Sequence, residues 1–324
     1  MRYLLLVLLI LAACSQPSFS EVNYFQGREG VVASFAQNTP PVTIYEDTPF
    51  MLGANVYNRG AFDTNGKVIF EYDTFYFTGS GKIIEEFELL GKQPDYPFGE
   101  MGFISDLENL QVRSITGSRE TVRTSISVST CYPYTTILTD FFCIDSDLFG
   151  TQRNSVCRSR TMHSYSGQGA PVGITSIEPT VIPRGFISSS QDTARSYLDE
   201  DGNLRRIGSE VVEARLMLLQ PSFEITIRNL GQGLVFGTDK GLGACTASSD
   251  RILGEIKVEA ELLGIKLDCT PNPVILRNNQ ARVRCVVQED DLFGASSSYQ
   301  DVLTVWLDYY YLDQTSKQVE IRRN

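Results

Sequence analysis

Residues 255–262 read EIKVEAEL, with Ile256, Val258, Ala260 and Leu262 alternating with Glu255, Lys257, Glu259 and Glu261. A period of two sends the apolar set to one face of a strand and the charged set to the other. SFEITIRN at 222–229 repeats the pattern: Phe223, Ile225 and Ile227 alternate with Ser222, Glu224, Thr226 and Arg228. So does VRTSISVST at 122–130, with Val122, Ile126 and Val128 on one face and Ser125, Ser127 and Ser129 on the other. One face rests on a core and the other meets water, as in antiparallel sheets. No helical periodicity is sustained beyond the first residues, so the expected fold class is all-β.

An internal echo sets the expected domain count. ANVYNRGAFDTNGKVIF at 54–70 and ITIRNLGQGLVFGTDKG at 225–241 share a plan: an alternating strand, an Asn-x-Gly step (Asn58 and Gly60; Asn229 and Gly231), then a second strand. Glycine there would permit a positive-φ turn, with asparagine satisfying the freed backbone. Two copies of one module are expected.

The chain carries 39 acidic against 28 basic residues, a formal net charge of −11. An acidic surface disfavours nucleic acid as a partner, and no basic run exists to hold anionic headgroups. The 26 glycines, 15 tyrosines and 18 phenylalanines suit strands and turns. The first residues, MRYLLLVLLILAAC, place Arg2 before an apolar run, then Ala12, Ala13 and Cys14. That order reads as a secretory signal, too short to span a bilayer. Residues 15–40 read as a polar spacer with a first short strand.

Six further cysteines are scattered, with no CxxC pair, and His163 is the sole histidine, so zinc has no ligand set. In an exported chain they read as disulfides. Cys269 and Cys285 flank a hairpin turning at Asn278-Asn279, Cys143 and Cys157 close a short loop, and Cys131 with Cys245 follows by elimination. That last bridge would tie the two halves together.

The ending Leu-Ala-Ala-Cys resembles the lipobox of prokaryotic lipoproteins, which implies a lipid on Cys14 and a location at the outer face of the cell membrane. The strand, Asn-x-Gly, strand plan resembles the CARDB type, the cell-adhesion-related immunoglobulin-like domain. VRTSISVSTCYPYTTILTDFFCID (122–145) and GQGAPVGITSIE (167–178) look like stretches of archaeal surface lipoproteins of unassigned function. The resemblance implies two tandem immunoglobulin-like β-sandwiches, 41–166 and 167–324, joined at GQGAP. Segment 184–212 departs from it and reads as a polar insertion, a long loop or a hairpin.

Chemistry is sparse. In DEDGNLRRIGSE (199–210), Asp199, Asp201, Asn203 and Glu210 occupy calcium-loop positions, yet Leu204 stands where the loop requires glycine. The ordinary reading is a turn, so no cofactor is expected beyond this possible calcium site. Asp140, Asp145 and Asp147 read as solvated loop charge. FTGSGK (77–82) lacks the first glycine of a phosphate loop. A Cys157–His163 pair is conceivable, but the cysteine is expected in a disulfide. In VLTVWLDYYYLD (302–313), Trp306 and Tyr310 fall on the face opposite Leu303, Val305, Leu307, Tyr309 and Tyr311, either as a binding platform or as a covered second face. CYPY (131–134) reads as a β-turn that either displays Tyr132 and Tyr134 or packs them. No Asn-x-Ser/Thr sequon is present. The expected role is a non-enzymatic surface module that binds an envelope protein or glycan. The alternative is an accessory subunit of an envelope assembly docking through an unpaired strand edge. A carboxylate hydrolase is a third reading.

Overall fold

The structure is a computed structural model. It describes residues 23–105, 110–144, 157–198, 204–288, 293–295 and 298–324, without the side chains of 183–198, 204–218 and 293–295. Cys14 therefore lies outside the described residues, as do Asp145, Asp147, Asp199, Asp201 and Asn203. Glu210 sits on a strand opposite Thr193, its side chain outside the described set.

In chain order the strands are β1 (Val31–Phe35), β2 (Thr43–Tyr45), β3 (Pro49–Phe50), β4 (Gly53–Asn58), β5 (Thr64–Glu71), β6 (Lys82–Leu89) and β7 (Met101–Ser105). Then follow β8 (Leu110–Gln111), β9 (Thr121–Ile144), β10 (His163–Ser164), β11 (Val172–Leu198), β12 (Leu204–Asn229), β13 (Leu234–Gly237) and β14 (Ile252–Leu253). The last are β15 (Glu255–Leu262), β16 (Ile265–Thr270), β17 (Val274–Ile275), β18 (Gln280–Val287), β19 (Phe293–Ala295) and β20 (Tyr299–Arg322). Two 3-10 turns, Gly241–Cys245 and Ser248–Asp250, are the only helical pieces among the described residues. The protein is all-β and sandwich-like, antiparallel throughout except where β2 runs parallel to β20.

A large sheet runs β10-β11-β12-β18-β16-β15-β20-β9-β5-β6, and a smaller one runs β1-β4-β7. Their apolar faces enclose one core that includes Val31, Val56, Phe70, Phe142, Phe223, Ile256 and Val305. The frame is set by β9 and β20, which pair without a register break from Tyr299↔Ile144 to Arg322↔Thr121. One part of β9 pairs β5 and one part of β20 pairs β15, so the two strands join segments from early and late in the chain.

The echo seen in the sequence is repeated in hydrogen bonds. Asn58 Oδ1 accepts from the Gly60 N–H (3.1 Å), and Asn58 Nδ2 donates to the Phe62 carbonyl (2.9 Å). Asn229 does the same with Gly231 (3.2 Å) and Gly233 (2.9 Å). Gly60 and Gly231 are not in the positive-φ region, which corrects the reason expected for them. A Cβ on Gly60 would collide with the Tyr134 hydroxyl, and one on Gly231 with the Tyr311 hydroxyl. Close approach, not turn conformation, requires glycine there.

One other expectation takes a different form. Tyr132-Pro133-Tyr134 is no turn but the middle of β9, with Pro133 opposite Tyr310. Proline survives because its nitrogen lies on the β5 side, where β5–β9 pairing has ended at Lys67↔Cys131. There the Pro133 carbonyl accepts from Thr64 Oγ1 at 2.7 Å. GQGAP is largely buried: Gly169 donates to the Gly27 carbonyl (3.0 Å), and Ala61 donates to the Gly169 carbonyl (2.8 Å). Of the two readings of segment 184–212, the hairpin is the one found for residues 184–198 and 204–212, since β11 and β12 pair from Val172↔Asn229 out to Leu198↔Leu204.

Disulfides join Cys131 to Cys245, Cys143 to Cys157 and Cys269 to Cys285. Between the last two cysteines the chain reverses at Asn278 and Asn279, both at positive φ, with Arg277 and Gln280 exchanging backbone bonds.

Candidate functional site

Tyr132, Tyr134, Tyr309 and Tyr311 project from β9 and β20 into the core and are at most 4 % exposed. Tyr132 and Tyr134 are thus withdrawn from any binding surface, which corrects the display reading of CYPY. Each hydroxyl accepts a backbone N–H: Val31 on Tyr132 (2.9 Å), Phe62 on Tyr134 (3.1 Å), Val172 on Tyr309 (3.2 Å) and Gly233 on Tyr311 (2.7 Å). Tyr132 lies opposite Tyr311 and Tyr134 opposite Tyr309, so a local two-fold passes through Pro133 and Tyr310. The sequence carries a signal for this arrangement: a tyrosine pair two residues apart in YPY at 132–134 and another in YYY at 309–311.

Burial pushes Tyr132 and Tyr309 well above the ordinary phenol value, and pushes Tyr134 and Tyr311 up to about 12. The unfolded chain releases these protons near 10 and the native state holds them longer. Above pH 10 the unfolded state therefore binds fewer protons, and stability falls as pH rises toward 12. Alkaline difference absorbance should show these phenols ionising only with unfolding.

On the outer face of the same strands, Trp306 stands half-buried between Glu259 of β15 and Ile137 of β9. Tyr310 is stacked on Phe236 (5.5 Å) and packed against a small second core of Ile69, Cys131, Phe236, Ala244 and Cys245. Tyr310 is thus partly covered, and Trp306 is half-buried like it. Asp140 is not loose loop charge: its Oδ2 accepts from Tyr165 (2.7 Å) and lies 2.9 Å from His163 Nδ1. Burial alone would raise the Asp140 carboxyl, but bonds from Tyr165, His163 and the Phe141 N–H together hold it below its ordinary value. His163 and Cys157 do not form a catalytic pair, since Cys157 is bonded to Cys143. Among the described residues no group of His, Cys, Asp and Glu is placed to hold a metal ion.

The distinctive feature is an open strand edge. Past Pro133, β9 keeps β20 on one side and has no strand on the other among the described residues. The Pro133 carbonyl and the Phe141 N–H both point to that open side; the first is taken by Thr64 and the second by Asp140 Oδ1 (2.8 Å). By the two-residue period, Thr135, Ile137 and Thr139 between them direct N–H and C=O the same way. Two cavities flank this edge and share Phe62 and Ile137. One, of about 610 Å³, is lined by Phe25, Phe62, Leu138, Tyr165 and Ser166. The other, of about 680 Å³, is rimmed by Asp63, Asp239, Glu255 and Asp308, with Lys257. Polar edge and mixed walls suit reversible binding of an extended ligand.

No protein-family model matches the chain, and no curated protein matches it.

Proposed function

We propose that this is an exported protein, held at the outer face of the cell membrane by a lipid on Cys14, that binds a partner and performs no catalysis. In this reading its halves are tandem immunoglobulin-like sandwiches of the CARDB type, fused through β9 and β20. The observation that carries the proposal is the set of three disulfides, one of them between the halves. Such bonds persist outside the cytoplasm and are consistent with an extracellular location. The anchor proposed is a lipid on Cys14, which the Leu-Ala-Ala-Cys ending supports. The polar side chains of the interior also favour a scaffold: the tyrosine hydroxyls hold backbone, and His163 is committed to Asp140.

The open edge of β9 favours the second reading, an accessory subunit of an envelope assembly, over free adhesion. Cys14→Ser tests the anchor. The variant should move from the membrane pellet to the soluble fraction; retention in the pellet overturns lipid anchoring. Cross-linking on intact cells then separates the two roles: a stoichiometric complex supports the accessory subunit, and its absence supports free adhesion.

A further inference from the structure

We propose that the edge of β9 at Thr135–Thr139 is a receptor for an extended polypeptide segment of a partner protein, added as a further strand, with basic residues at one end and apolar residues at the other. The inference rests on the binding role proposed above and names its site and ligand class.

Four observations converge. The edge presents backbone donors and acceptors from Thr135, Ile137 and Thr139 that no described group takes. An unpaired edge is a template for another chain unless it is blunted. Here the blunting devices stand only at the ends: Pro133, whose carbonyl Thr64 occupies, and Asp140, which caps the Phe141 N–H. They leave a slot of five residues, about 14 Å long at strand rise. A strand laid there would sit between the two cavities, which receive its side chains, as in recognition by strand addition.

The charges choose the ligand. At the larger cavity Asp63 and Asp308 each spend Oδ1 on a bond, to the Gly91 N–H (2.7 Å) and the Thr135 hydroxyl (2.6 Å). Asp239 and Glu255 add further negative charge, and the cation nearby, Lys257, is held by Glu259 at 2.9 Å. Lysine or arginine of the incoming strand complements this end. At the other end Phe25 and Phe62, 5.7 Å apart, with Leu138 and Tyr165, accept an apolar side chain.

The probe is a labelled peptide, acetyl-Lys-Thr-Lys-Val-Phe-Val-amide, with two companions: lysines replaced by glutamate, and alternate backbone nitrogens methylated on the edge-facing side. Fluorescence anisotropy should show binding weakened at least tenfold by either change. Ile137→Pro should weaken it as much, and β9 should accept this proline because Pro133 already stands at the same parity. Hydrogen exchange should slow at the amides of Thr135 and Thr139. Undiminished binding of the methylated probe, or protection at Met101–Ser105 in place of β9, overturns the proposal without any variant having to fold. Recovery of the same cross-linked partner by wild type and Ile137→Pro also overturns the edge while leaving the binding role standing. Failure of the unmodified peptide to bind, with no slowing at Thr135 and Thr139, overturns the edge and leaves free adhesion standing.

Discussion

Replacing Cys131 and Cys245 together by alanine is expected to cost about 4–5 kcal/mol, the largest loss among the three disulfides. The bond closes a loop of sequence separation 114, against 14 for Cys143–Cys157 and 16 for Cys269–Cys285. A longer closed loop removes more entropy from the denatured chain, which places the two short loops near about 3 kcal/mol each. The native state loses little that other groups do not hold. Arg251 donates to the carbonyls of Ala244 (2.7 Å) and Cys245 (2.6 Å), and its guanidinium lies over Phe236 at 5.2 Å. The 3-10 turn therefore stays seated on the small core after the bond is gone. Denaturant titration of the oxidised proteins checks the ranking. A loss under about 1 kcal/mol, or one no larger than that for Cys143→Ala with Cys157→Ala, shows that the bond does not act through the unfolded chain.

Local alternation was the legible part of this fold. EIKVEAEL became β15, and its partners in the ladder carry the same period, because one buried face dictates which residue types recur. Cysteine spacing was legible for a related reason: a hairpin or a short loop brings its own ends together. What alternation does not carry is strand length across a proline. Pro133 reads as a turn because its ring sets φ for one, yet a residue whose N–H would face an open edge loses no ladder bond. That one position hid both the 24-residue length of β9 and the open edge beyond it. The tyrosines were hidden differently. Tyr132 and Tyr134 look like display residues in a motif, but their partners are backbone N–H groups 101 and 72 residues away. Nothing local announces such bonds; only the matching tyrosines near the end of the chain do.

Gly60→Ala is the substitution that tests this arrangement most sharply, with an expected cost of about 3 kcal/mol or more. Its Cβ would collide with the Tyr134 hydroxyl, lie 2.8 Å from the ring carbon bearing it, and lie 3.1 Å from the Gly169 carbonyl. Tyr134 cannot step aside cheaply. It is 4 % exposed, its hydroxyl accepts from the Phe62 N–H and donates to the Gly169 carbonyl, and moving it takes the acceptor from the Phe62 N–H and leaves the Gly169 carbonyl with the Ala61 N–H alone. Gly231→Ala meets Tyr311 in the same way but at a partly exposed turn, where the next contacts are looser, at 3.2 Å to the ring and 3.4 Å to Pro171. A cost nearer 1–2 kcal/mol is expected there. The cause separates cleanly from backbone freedom by a double-mutant cycle. Tyr134→Phe removes the oxygen that the new Cβ would strike, so in the Gly60→Ala background it should cost less than it does alone, with a coupling of about 1 kcal/mol. The same Tyr134→Phe change should add independently to Gly231→Ala, whose obstruction is Tyr311. If Gly60 were kept for its torsion angles, removing the Tyr134 oxygen would relieve nothing and the two changes would simply add.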